Sequence, residues 1–317
     1  MVNQHGNKRF KKSYFQFWIK LVFAVAILTY LSWKISASLG EGHALYHFEF
    51  NNIGILLTAV LLLMVLNWSI EALKWKRLMN ELQPLSFSTA LTGVLAGVST
   101  GLITPNRVGN FIGRVVVLDK EHRTKATLLT LLSNLAQFVP SIFFGCWGLL
   151  FINADFFNDS RVILFGGGLV LIILAMSLYL NPKLINRKPF NLWFSDKIID
   201  AIAFVQSTSL YLKLHIIGLS AGRYFVFVTQ YVLILLLFNQ PQHLVHLFAG
   251  VSVVYLLMTI IPGFFFGKLF VREAAGLLVL GEMGIPNEVI LVTGFILWLI
   301  NIALPSLAGA IILLGKK

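Results

Sequence analysis

GVSTGLITPNRVGNFIGR, residues 97–114, is an apolar run that breaks at Thr104-Pro105-Asn106 and resumes as a short glycine-punctuated segment carrying Arg107 and Arg114. A second stretch, IIPGFFFGKLFVRE at 260–273, repeats the pattern: an apolar run, Pro262-Gly263, then Gly267 followed by Lys268, Arg272 and Glu273. Proline inside an apolar helix removes a backbone donor and disrupts the helical ladder. At membrane depth the freed backbone is tolerated only where protein or a water-filled cavity can satisfy it. The two breaks are therefore expected to face each other across a cavity, with the rest of the chain as their scaffold.

Working outward, the chain is 57% hydrophobic and only 12% charged, with a mean hydropathy of +0.82. This excludes an ordinary soluble domain. Apolar windows of roughly 20 residues, the length that crosses a hydrocarbon core, fall at 15–36, 53–73, 126–152, 161–180, 214–238 and 289–314. The fold class expected is an all-α polytopic membrane protein with six full spans and two Pro/Gly-broken hairpins.

The net charge of +12 raises nucleic acid as a partner, and its distribution argues against it. Lys8, Arg9, Lys11 and Lys12 precede the first window, Lys74, Lys76 and Arg77 follow the second, and Lys120, Arg123 and Lys125 precede the third. Lys183, Arg187, Lys188, Lys197 and Lys213 lie between the fourth and fifth, and Lys316 and Lys317 end the sequence. The segments 37–52, 153–160 and 239–244 carry Glu41, Glu49, Asp155 and Asp159 and no Lys or Arg. That is the positive-inside pattern, and it places both termini at the cytoplasmic face of a cell (inner) membrane.

With that orientation the hairpin at 86–104 and 108–118 starts and ends inside, whereas the one at roughly 245–282 starts and ends outside. Each half then reads span, span, hairpin, span, in opposite senses. This is an inverted-topology repeat, 15–152 and 161–314 within one membrane domain of 1–317, joined by a cytoplasmic connector at 181–213. In that connector Trp193, Phe194, Ile198, Ile199, Ile202 and Phe204 suggest an interfacial helix. The basic N-terminus is read as flanking a retained first span, because the apolar run is too long for a signal peptide. The single Cys146 permits no intrachain disulfide.

Ionisable residues at membrane depth cost about 2.5–3.5 kcal/mol each on an insertion scale and are candidates for function. Arg223 lies inside the fifth window, either lining the cavity and holding a phosphate or pairing with a helix carbonyl or a carboxylate such as Glu71. Arg107 and Arg114 follow the first break and Lys268 and Arg272 the second, so a phosphate site is expected at either mouth, the plain alternative being membrane-flanking charge. Glu273 could neutralise a cavity cation or take up protons. Pro105, Gly109, Gly113, Pro262, Gly263 and Gly267 would let backbone approach a ligand. Asn67, Asn134, Gln137, Gln230 and Asn301 are read as interhelical hydrogen-bonding groups, and Gly166, Gly167 and Gly168 as close helix packing. His43 with His47 and His243 with His246 give two ligands apiece, too few for a metal centre, and no metal or cofactor is expected. No HExxH, P-loop or GxSxG occurs.

The segments NWSIEALKWKRL at 67–78, GLITPNRVGNFIGR at 101–114 and IIPGFFFGKLFVREAAGLLVL at 260–280 resemble the lysylphosphatidylglycerol synthase transmembrane-region family, also called the flippase-like domain. Pro105, Arg107, Gly109 and Arg114 match one signature of that family, and Pro262, Gly263, Gly267, Val271, Arg272 and Glu273 the other. Asn110 stands where the family commonly has Glu, and FFFGK replaces a Gly-Gly-rich turn, which puts charge balance and substrate in question. The resemblance implies a flippase-like membrane module that, in its best-known members, moves an aminoacylated phospholipid between leaflets, and the partners expected here are membrane lipids with anionic or zwitterionic headgroups. Only Gly315-Lys316-Lys317 follow Leu314, so no soluble aminoacyl-transferase domain is expected in this polypeptide. Two other readings stand beside translocation. One is a lipid-headgroup transferase using Glu273, Glu71, His43 or His47, and the other is a non-catalytic partner of a separate lipid-modifying enzyme.

Overall fold

The computed structural model describes residues 50–104, 107–152, 161–181, 195–238, 242–261 and 267–315. The expected span at 15–36, with His43 and His47, lies outside these residues, as do Trp193 and Phe194. Among the described residues there is no strand. The helices are α1 (Phe50–Met79), α2 (Phe87–Ile103), α3 (Gly109–Val115), α4 (Arg123–Phe151), α5 (Arg161–Leu180), α6 (Asp196–Ser207), α7 (Leu210–Leu236), α8 (Leu244–Ile260), α9 (Gly267–Glu282), α10 (Asn287–Trp298) and α11 (Leu304–Leu314). A π-helical turn at Leu299–Ala303 joins α10 to α11.

Five of these stretches are long and apolar enough to cross a bilayer: Ile53–Met79, Lys120–Phe151, Val162–Leu180, Leu210–Leu236 and Asn287–Leu314. The protein is a multi-pass membrane protein. Its outward faces are what a hydrocarbon solvent requires, with Val162, Ile163 and Ile173 of α5 and Leu307, Ile311 and Leu314 of α11 all open. The 30 residues of α1 extend about 45 Å at 1.5 Å per residue, past the 53–73 window, which carries Lys74 into the helix proper.

Lipid chains are as apolar as leucine, so helices associate in a membrane through close packing of small residues and through polar contacts. On α4, a Cβ at Gly145 would strike Leu256 and one at Gly148 the carbonyl of Ala249, so α4 lies directly on α8. Gly309 of α11 sits in the same way on the carbonyl of Leu95 in α2. The helix α1 packs along α7, and α6 docks on α4, where Lys125 Nζ lies 5.2 Å from the centre of the Phe204 ring.

The two broken stretches are helical hairpins. Ser86 caps α2 by accepting from Thr89 N at 3.1 Å, and the helix ends at Thr104, whose backbone is extended. Arg107 then adopts φ 57, a left-handed conformation unusual for a side chain of its size. Threonine hydroxyls fasten the two arms. Thr100 Oγ1 lies 2.6 Å from Gly109 O, and Thr104 Oγ1 accepts from Gly109 N at 2.7 Å while donating to Thr100 O at 2.9 Å. The second arm is shorter than the 108–118 expected, because α3 ends at Val115. The other hairpin pairs α8 with α9.

Candidate functional site

The interior between these helices is polar around one carboxylate. Asn67, Glu71 and Lys74 stand at i, i+4 and i+7 on one face of α1, a spacing that stacks side chains along a helix. Glu71 is fully buried. Its Oε1 lies 2.7 Å from Arg114 Nη1 of α3, and its Oε2 lies 2.8 Å from Arg223 Nη1 of α7 and 3.1 Å from Lys74 Nζ. Lys74 Nζ also approaches Ser220 Oγ at 3.3 Å and Ser133 O at 3.4 Å.

A line of amides orients this centre. Arg223 Nε donates to Asn67 Oδ1 at 2.7 Å, Asn67 Nδ2 to Asn301 Oδ1 at 3.3 Å, Asn301 Nδ2 to Gln230 Oε1 at 3.1 Å, and Gln230 Nε2 to Val60 O at 2.9 Å. Asn301 lies within the π-helical turn, a local widening that recurs at functional positions. The guanidinium of Arg223 also lies over two aromatic rings, 5.4 Å from the centre of Trp68 and 5.1 Å from that of Phe227. The interhelical role expected of Asn67, Gln230 and Asn301 is thus the one they fill, and Gln137 joins them by donating to Ser220 O at 3.1 Å.

A second cation lies on the other hairpin. Arg272 of α9 is buried and donates to Glu273 Oε1 from Nε at 3.2 Å and from Nη2 at 2.8 Å. Its Nη2 also donates to Gly294 O of α10. The Glu273 carboxylate occupies the space a Cβ on Gly294 would need. Gly294→Ala is therefore expected to lower stability by about 1–3 kcal/mol through overpacking. The check is a thermal unfolding midpoint well below that of Gly281→Ala, whose added methyl would meet only Asn287 Oδ1 at ordinary contact distance.

The residues expected from the sequence are distributed as follows. Arg107 is exposed at the tip of the first hairpin and feels the charges of both Arg272 and Arg223, which brings the two hairpins and α7 into one electrostatic field. Arg114 is buried on Glu71 and does not serve as a membrane-flanking anchor. Arg223 pairs with Glu71 at 2.8 Å and remains 14% exposed. Pro105, Pro262, Gly263 and the side chain of Lys268 lie outside the described residues, and Gly267 opens α9. Gly109 and Gly113 admit close approach of α2 backbone. Added Cβ atoms would strike Thr100 O at Gly109 and Ala96 O at Gly113. His246 Nδ1 lies 2.8 Å from Phe151 O, and among the described residues no group of three His, Cys, Asp or Glu side chains gathers.

Glu71 and Lys74 carry more of the site than the sequence reading gave them. The signal was present as a polar stripe at helical spacing inside an apolar run, with Lys74 obscured by the neighbouring Lys76 and Arg77. A groove of about 510 Å³ between α4, α7 and α8 is a different feature. Phe144, Trp147, Phe225 and Phe248 line it and it holds no charged side chain, so it cannot be where charge is recognised.

Lys74, Arg107, Arg114, Arg223 and Arg272 face only Glu71 and Glu273, an excess of three positive charges among the described residues of this cluster. Arginine presents a planar fork of donors suited to carboxylate and phosphate. A family model described as the lysylphosphatidylglycerol synthase TM region matches residues 17–309. The chain belongs to that family. The match spans nearly all of the chain, so both hairpins and the Glu71 centre lie inside the lysylphosphatidylglycerol synthase transmembrane region. Neither a curated protein nor a solved structure matches the chain.

Proposed function

We propose that this protein translocates a phospholipid, or another lipid with an anionic or zwitterionic headgroup, and that the headgroup's phosphate is bound between the two hairpins. The observation that carries the reading is the excess of positive charge at Arg107, exposed on the first hairpin, and at Arg223 and Arg272 within the bundle. Unbalanced cations at membrane depth are costly, and a passing anion relieves that cost while its acyl chains stay in lipid. Phosphate suits the arginine fork better than a point charge does.

The same proposal includes an inverted repeat of 15–152 and 161–314, with both termini at the cytoplasmic face of the cell (inner) membrane. Support comes from how helix contacts pair off. The contact of α4 with α8 has its counterpart in α11 with α2, that of α1 with α4 in α7 with α10, and the α2–α3 hairpin in the α8–α9 hairpin, while α1 and α7 meet each other. Arg114 stands five residues after Gly109 and Arg272 five after Gly267, so each hairpin delivers one arginine at the same register. Two such halves of opposite sense could expose a central headgroup site to either leaflet in turn.

The test is reconstitution in vesicles with a leaflet-resolved assay of labelled phosphatidylglycerol. Arg272→Gln is expected to slow translocation about ten- to a hundredfold, the equivalent of a charge-assisted hydrogen bond of roughly 1.5–3 kcal/mol. Replacement of the exposed Lys120 by Gln should leave the rate within about twofold. Equal rates for the two variants at matched protein levels would reduce the role of Arg272 to general positive charge.

A further inference from the structure

We infer that Glu71 is a built-in stand-in for the substrate's phosphate: it holds Arg114 and Arg223 in place while the site is empty and yields Arg223 to the anionic group that enters. The inference rests on the headgroup reading above and assigns within it the group that the lipid must displace.

Three features of the geometry lead to it. First, the contacts of Glu71 are unequal. Its Oε2 is shared by Arg223 Nη1 at 2.8 Å and Lys74 Nζ at 3.1 Å, whereas its Oε1 faces Arg114 Nη1 alone at 2.7 Å. A carboxylate has two oxygens for three cations here, and the oxygen that serves two can release Arg223 and keep Lys74. The Arg272–Glu273 pair is the contrast, since Glu273 Oε1 takes two donors and Gly294 leaves it no room to move.

Second, the open side of the cluster is at Arg223. Its side chain is 14% exposed, against 4% for Arg114 and 1% for Glu71 and Lys74. An anion entering among Arg107, Arg223 and Arg272 reaches Arg223 before it reaches any other cation on Glu71.

Third, the exchange strands no charge. When Arg223 turns to the entering anion, Glu71 keeps Lys74 and Arg114, so no buried carboxylate is left without a counter-charge, which is the costly outcome for a broken ion pair. Asn67 keeps its bond to Asn301 and can still receive Arg223 Nε, so the guanidinium needs to release only the nitrogen that Glu71 holds.

The experiment uses the full chain in phosphatidylcholine nanodiscs, with binding of labelled phosphatidylglycerol and, separately, of sn-glycerol 3-phosphate. Glu71→Gln removes the competitor's charge and is expected to bind phosphatidylglycerol about ten- to a hundredfold tighter than wild type, and to translocate it more slowly because release is retarded. Glu71→Asp keeps the charge on a shorter stem and is expected to bind several-fold tighter than wild type; it carries the test if Glu71→Gln does not fold. Unchanged or weaker binding in the variant that folds makes Glu71 a brace only and overturns the inference. Tightening for glycerol phosphate without tightening for phosphatidylglycerol gives the seat to a soluble anion and likewise overturns it. Failure of the headgroup reading is a different result: Arg223→Gln and wild type would then bind phosphatidylglycerol alike.

Discussion

Gly113→Val will yield little or no folded protein, whereas Gly218→Ala will be recovered at wild-type levels or slightly above. A side chain at Gly113 would meet Thr100 Oγ1 and the carbonyl of Ala96. The hydroxyl could rotate, but the carbonyl belongs to the ladder of α2 and cannot. Valine adds a branched group to that collision, so α3 must lift from α2, breaking the Thr100 and Thr104 bonds that fasten the arms and withdrawing Arg114 from Glu71. Overpacking alone costs about 1–3 kcal/mol, and a buried pair that loses one partner costs about 3–5 kcal/mol more. Together these approach the whole stability of an ordinary domain. Gly218 has nothing within contact distance of an added Cβ, and alanine improves on glycine in a helix interior by about 1 kcal/mol. The check is the monodisperse fraction on size-exclusion chromatography after detergent extraction. A monodisperse Gly113→Val would mean that the hairpin tolerates separation and that its tight packing is not what positions Arg114.

Much of this arrangement could be read from the residues. Hydropathy gives the spans because a bilayer imposes one length on all of them. The hairpins announce themselves because Pro105 and Pro262 each interrupt an apolar run that glycine and cations then continue. Arg223 was legible for the same reason, as an isolated cation inside a span, and Glu71 was its natural partner. Arg114 and Lys74 were harder. Both lie beside residues that look like membrane-flanking charge, and only the extension of α1 to Met79 and the folding of α3 onto α2 carry them inward. Those are tertiary facts. Glycine is ambiguous in a similar way. At Gly109 and Gly113 the missing Cβ lets two helices touch, while the left-handed backbone falls on Arg107 and Gly284. A pattern of Gly at i and i+4 reads equally well as a hinge, a ligand loop or a packing face, and only the partner's position decides.

The last expectation concerns the form of the cation at the centre. Arg223→Lys keeps the charge and should nevertheless lose most translocation, about thirtyfold or more if two charge-assisted bonds are replaced by one. Arginine here uses Nε for Asn67 and Nη1 for Glu71 at once, while its Cζ lies over the rings of Trp68 and Phe227. Lysine offers a single ammonium on a flexible stem, which cannot span two acceptors held by a rigid fork and has no planar face to stack. It would still neutralise Glu71, so the fold should survive. The measurement therefore has two parts: an unfolding midpoint close to wild type, and a phosphatidylglycerol translocation rate close to that of Arg223→Gln. If Arg223→Lys instead translocated like wild type, charge alone would suffice at this position, and the amide line from Asn67 through Asn301 to Gln230 would serve helix association and have no part in aiming the guanidinium.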